Sequence, residues 1–278
     1  MNHHEGEFEG ANGLKIYYQA WLPDDPKAVV QIVHGGFEHS GRYQNVVNEL
    51  LPYNYAVYAD DHRGNGKSEG TRNYVDSFDQ FIEDEKRLYN IIKDRHPDLP
   101  VFMLGHSMGS LIATYFTKKY EELLAGLILS GTTTGSAAFP KFLKIMVKVM
   151  SKITPKLTIN PKLDPNVLSH DPEIVKAYQE DPHVHAEKIT IRLAGEIVKY
   201  VDGLVDVYKK FTLPLLVQCG SEDSVMKVKD KEELKNAFKM EDKKIIIYDD
   251  LYHEVYNELE NDRIIVLKDL SDWLEKHT

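Results

Sequence analysis

Residues 99–116 read LPVFMLGHSMGSLIATYF. The run at 101–104 is short and wholly apolar, the pattern of a buried strand. Gly105-His106-Ser107-Met108-Gly109 then makes a sharp turn, and 110–119 has helical spacing. Strand, G-x-S-x-G and helix together define a nucleophile elbow, in which a strained turn lifts the serine hydroxyl above the end of a sheet. Small flanking residues permit that strain, and the helix behind aims free N–H groups at the same place. With glycine at about 7% of residues, the bare pentapeptide arises by chance in roughly one chain in ten of this length. Ser107 therefore needs a base and an acid elsewhere in the chain.

Working outward, the 278 residues suffice for one large domain or a domain with an insertion. The net charge of −10 leaves no basic surplus to neutralise phosphates, which argues against nucleic acid. A single cysteine, Cys219, excludes an internal disulfide and suits a reducing, cytoplasmic setting. No sequence pattern suggests a metal site. The first ten residues, MNHHEGEFEG, are polar and acidic and do not read as a signal peptide.

Before the elbow, strands are expected at 14–22, 28–33 and 56–59, with helices at 42–51 and 79–96. Another strand is expected at 123–130. This alternation is that of an α/β protein whose mostly parallel sheet is covered by helices on both faces. The strand at 28–33 runs into His34-Gly35-Gly36-Phe37-Glu38, a loop whose paired glycines allow a close backbone approach. The loop at 60–68 is glycine-rich but lacks Walker A spacing. From about 131 to 213 no convincing strand appears. The expected organisation is a core of 1–134 and 212–278 carrying a helical cap at 135–211. Within it, 139–153 sets Lys141, Lys144, Lys148 and Lys152 on one stripe of an otherwise apolar helix, which is expected to bury most of its girth. That helix could also rest on a membrane surface. After the cap come a strand at 213–219, a helix at 227–238, a strand at 243–248 and a helix at 262–276.

In α/β-hydrolases the acid and histidine follow the serine in that order, each in a loop after a strand. Asp223 and His253 occupy those places, with Glu222, Asp249 and Asp250 as competing acids. His253 would take the Ser107 proton while Asp223 fixes the imidazole.

With these residues assembled, the chain resembles the monoacylglycerol lipase and lysophospholipase group of α/β-hydrolases over nearly its whole length. The resemblance rests on HGGFEHSGRY (34–43), DHRGNGKSEG (61–70), GHSMG (105–109), GSED (220–223) and YHE (252–254). It implies a serine esterase acting on small lipid esters with one acyl chain, without metal or organic cofactor. It implies Ser107, Asp223 and His253 as the triad, and Gly36 and Met108 as oxyanion donors. Glu38 and Arg42 match residues that help hold a glycerol head, although the two could equally form an i,i+4 ion pair. Two departures stand out. Phe37 replaces the second glycine of H-G-x-G-E-H and so rivals Gly36, and Tyr256 stands where glycerol-specific members carry a further histidine.

Overall fold

The apolar runs become the inner strands of one eight-stranded sheet in the computed structural model, which describes residues 2–135, 141–226 and 231–278. Before the elbow come β1 (Asn2–Glu9), β2 (Lys15–Leu22), β3 (Ala28–Val33), β4 (Tyr55–Asp60) and β5 (Val101–His106). β6 (Gly126–Ser130) follows, then β7 (Thr158–Ile159) and β8 (Ile189–Thr190), which form a separate two-residue pair, and finally β9 (Leu215–Gly220) and β10 (Lys243–Tyr248). The sheet order is β1-β2-β4-β3-β5-β6-β9-β10, parallel from β4 to β10. Strands β3, β4, β5, β6 and β9 are buried along their whole length, as strands covered on both faces must be. The chain passes outward from β3 to β4, then returns to the other side of β3 as β5. That reversal opens a crevice at the carboxyl ends of β3 and β5, where such sheets bind ligands.

Helix α1 (Gln44–Leu50) and helix α9 (Glu260–His277) pack on one face. Helices α2 (Asp79–Arg95), α3 (Met108–Tyr120) and α8 (Lys231–Ala237) contribute to the core on the other. The start of the 227–238 helix expectation lies outside the described residues.

The amino-terminal segment departs from the expectation of a merely polar lead. β1 pairs with the whole of β2, Asn2 opposite Leu22 through to Glu9 opposite Lys15, with both β1–β2 and β2–β4 antiparallel. Its pairing is carried by main-chain bonds and by His3 stacked on Trp21 at 5.1 Å, so apolar alternation is scarcely needed. Charged side chains on such an edge discourage pairing with other chains.

Between β6 and β9 lie α4 (Lys141–Ile153), α5 (Pro172–Glu180), α6 (Ile191–Val201) and α7 (Leu204–Tyr208). The pair β7–β8 corrects the expectation of a strandless insertion. A larger correction concerns α4. Among its described side chains only a narrow strip, Val147 and Ser151, is buried, against α6, where a Cβ on Gly195 would stand 2.8 Å from that of Ser151. Phe142, Ile145 and Ile153 are 71%, 64% and 71% exposed, with Met146 and Val149 beside them. The helix therefore turns an apolar face outward instead of burying its girth. Lys148 and Lys152 border that face, Lys144 pairs with Asp202, and Phe139 and Pro140 lie outside the described residues.

Candidate active site

Ser107 adopts φ 54°, ψ −119°, a left-handed strain that a side chain tolerates only where its surroundings impose it. The imposing contacts are close. A Cβ on Gly105 would lie 2.5 Å from the carbonyl oxygen of Gly109, and one on Gly109 would lie 2.0 Å from that of Val33. The Ser107 N–H donates to the Ser130 carbonyl at 3.0 Å, which ties the elbow to β6. Met108 opens α3, so its N–H has no acceptor within the helix.

Across the crevice, the loop after β3 brings Gly36 alongside Met108, its added Cβ falling 3.7 Å from the Met108 Cβ. The Gly35 N–H donates to Glu38 Oε1 at 2.6 Å, which stiffens the loop. Phe37 takes φ 72°, a conformation suited to glycine, and its carbonyl accepts from the His185 N–H at 3.0 Å. Both Gly36 and Phe37 line the cavity.

Asp223 and His253 meet where β9 and β10 end. His253 Nδ1 lies 2.7 Å from Asp223 Oδ2, and Asp223 Oδ1 accepts from the N–H groups of Val225 and Met226. Burial opposes protonation of the imidazole, but the charge and hydrogen bond of Asp223 outweigh it and hold His253 above its ordinary value. Burial also works against the Asp223 carboxylate, and the same partner, helped by the two N–H donors, keeps it ionised. Among the competing acids, Glu222 is exposed and Asp250 sits in the turn with φ 62°. His106, its ring 4.7 Å from that of His253, is pushed down to about 4 by burial and by that neighbour, so it stays neutral.

Ser107 and His253 share one cavity of about 270 Å³. Its far wall is apolar: Leu111 from α3, with Ile189, Leu193, Ile197 and Val201 from β8 and α6. No described residue of α4 lines it.

The opposite end is charged. Arg42 donates to both oxygens of Glu254 at 2.8 and 2.7 Å and also to Glu38, and its guanidinium stacks 4.7 Å over the ring of Tyr178 on α5. Glu38 Oε1 already accepts from Gly35 and from the Tyr43 hydroxyl. The i,i+4 pair thus exists, and it is embedded in a wider network that braces the histidine loop. Tyr256 is not brought to this cavity. It packs in the core under α9, and its hydroxyl donates to Gln218 at 2.8 Å.

Two participants escaped the sequence reading. Glu254 lies next to His253 in the chain and would have been visible only through its distant partner Arg42. Gly131 has φ 53°, and a Cβ there would stand 2.8 Å from His253 Cε1, so a side chain would strike the imidazole.

A covered parallel sheet, a serine elbow after β5 and an Asp–His pair after the last strands define an α/β-hydrolase. Residues 24–260 match the family described as "Serine aminopeptidase, S33", and the chain belongs to that family. It is 35% identical over 275 residues to the monoacylglycerol lipase of Mycolicibacterium smegmatis, spanning 98% of this chain and 97% of that protein. The human monoglyceride lipase is 30% identical over 271 residues, covering 96% of this chain and 89% of the relative. In structure it is similar to the Paleococcus ferrophilus monoacylglycerol lipase, with a TM-score of 0.81, 27% identity and full coverage of both chains.

Proposed function

We propose that this carboxylic ester hydrolase cleaves monoacylglycerols to a fatty acid and glycerol. The observation that carries the reading is the placement of strained Ser107 and the Asp223–His253 pair at one end of an apolar cavity. Ser107 Oγ attacks the ester carbonyl as His253 Nε2 takes its proton. The N–H groups of Gly36 and Met108 hold the resulting oxyanion, a stabilisation worth ~3 kcal/mol per donor. His253 returns the proton to the glycerol oxygen as the C–O bond breaks, leaving an acyl-Ser107. Water, deprotonated by His253, then adds to the acyl carbon and releases the acid and the serine. The acyl chain lies along α6. Glu38 has most of its lone pairs committed, so it and Arg42 act at the head end chiefly by fixing the loop walls.

Fatty-acid release from monooleoylglycerol and from lysophosphatidylcholine, with Ser107→Ala as control, tests the reading. The glycerol ester is expected to win by ~100-fold in kcat/KM, about 2.7 kcal/mol of transition-state discrimination. Ser107→Ala is expected to lose activity by orders of magnitude and keep its fold. Equal or better hydrolysis of the phospholipid overturns the substrate assignment, and an active Ser107→Ala overturns the mechanism.

We further propose that residues 135–211 act as a cap whose α4 rests on lipid. Its support is the exposed apolar face bordered by Lys148 and Lys152. No helix among the described residues is long and apolar enough to cross a membrane. Flotation with anionic vesicles is expected to carry the protein upward and to fail for Ile145→Glu/Ile153→Glu; unchanged flotation of that variant refutes the contact.

A further inference from the structure

Behind the oxyanion loop, on the α2 face of the sheet, Asp60, His62 and Glu85 meet in the interior. Each is fully buried, and one nitrogen or oxygen from each lies within 4.8 Å of the others. His62 Nδ1 stands 3.4 Å from Asp60 Oδ2 and 3.4 Å from Glu85 Oε1. Among the described residues no Lys or Arg reaches either carboxylate; Arg63 is spent on Asp84. Asp60 Oδ1 and Glu85 Oε1 are buried with no hydrogen-bond donor. So is Gln31 Oε1, whose amide Nε2 lies on Glu85 Oε2 at 2.7 Å. Buried acceptors in this number make a cation among them favourable, since carboxylates left unpaired in the interior are costly.

The imidazole shows which atom would meet it. His62 Nε2 lies 3.0 Å from the main-chain oxygen of His34, which can only accept. Nε2 therefore carries a hydrogen, and Nδ1 is the ring atom that faces the two carboxylates. An imidazole that ligates through one nitrogen and donates from the other to a carbonyl is the usual arrangement of a metal-bound histidine. The spacing agrees too. Donors on a tetrahedron with ~2.1 Å arms lie ~3.4 Å apart.

We propose that Asp60, His62 and Glu85 bind a divalent first-row cation of the zinc type. Imidazole with carboxylates suits that class. The ion is structural. It holds His62, whose ring stacks on His34 at 3.7 Å and whose N–H donates to His34 Nε2, and His34 is the root of the loop that carries Gly36. The ligands come from β4, the loop after it and α2, so no short motif in the sequence announces them.

Because the site is closed, the test begins from the denatured chain. The full-length protein is refolded once with excess Zn²⁺ and once with EDTA, desalted, and assayed for bound zinc and for melting temperature. About one zinc per chain and a melting point several degrees higher than the EDTA-refolded protein are expected. Glu85→Gln, nearly equal in size, is expected to retain less than about a fifth of that zinc. His3→Ala/His4→Ala, which removes the surface histidines of β1, is expected to retain it all. Absence of zinc from the Zn²⁺-refolded protein overturns the proposal, as does full zinc content in Glu85→Gln or its loss with His3 and His4. Should Glu85→Gln not fold, the two refolded wild-type samples and the surface variant decide the matter.

Discussion

Helices α4 and α6 lie against each other in the insertion, and each carries a pronounced apolar side. α6 turns Leu193, Ile197 and Val201 into the cavity above Ser107, whereas α4 leaves Phe142, Ile145, Met146, Val149 and Ile153 to the solvent. Their sequence patterns do not tell them apart, because periodicity reports that a helix has two faces and not what each face meets. Gly195 supplies the physical reason for the asymmetry. Without a side chain there, α4 approaches α6 through Val147 and Ser151, a strip offset from the face of Phe142, Ile145, Met146, Val149 and Ile153, and that face is left uncovered.

If α6 is the acyl wall, the largest effect follows from filling it. Ile197→Trp is expected to lower kcat/KM for a long-chain monoacylglycerol by ~100-fold, since each methylene excluded from the cavity forfeits ~0.8 kcal/mol. Hydrolysis of a short acetate ester should change by less than about threefold. Parallel losses on both esters would mean that the substitution had disturbed the triad and not the wall. The matching substitution on the other helix, Ile145→Trp, is expected to leave turnover of both esters in detergent unchanged, because that side chain already faces outward. A loss there would place α4 in the substrate path.

A smaller effect separates the two faces of α4 itself. Lys148→Glu/Lys152→Glu is expected to weaken binding to anionic vesicles by roughly tenfold at low salt, about 1 kcal/mol being lost per surface charge at most. Binding to neutral vesicles should not change. Equal binding of wild type and variant to anionic vesicles would assign the contact to the apolar face alone.

The smallest expected shift concerns pH. In the proposed mechanism His253 must be neutral to accept the Ser107 proton, and Asp223 holds its pKa above the ordinary value of 6.5. Activity is therefore present above that raised pKa and is lost as pH falls through it. The acid limb of kcat/KM should lie above pH 6.5 and coincide for wild type and Ile197→Trp, since Ile197 contributes neither charge nor hydrogen bond to the imidazole. Glu254 adds to the charge that favours protonation, so Glu254→Gln should move the limb downward by less than Asp223→Asn does. A limb below pH 6.5 would contradict the pairing of His253 with Asp223.

Much of this protein was open to reading in one dimension, because the decisive signals are local. The elbow is legible because Gly105 and Gly109 flank Ser107 at fixed spacing and each is required by a contact of 2.5 Å or less. The buried strands from β3 to β9 are legible because strands covered on both faces read as unbroken apolar runs. Asp223 and His253 could be chosen because chain order and strand ends restrict the candidates. Only the tertiary structure decided the rest, since those outcomes depend on partners far along the chain. β1 exists through its main-chain pairing with β2, which its own polar residues do not advertise. Tyr256 is drawn to Gln218 and away from the cavity. Arg42 finds Glu254 across 212 positions, and Asp60, His62 and Glu85 converge from two elements and a loop. Local steric rules are written in neighbouring residues, whereas which side of a helix is inside, and which buried charges meet, is settled only when the chain has closed on itself.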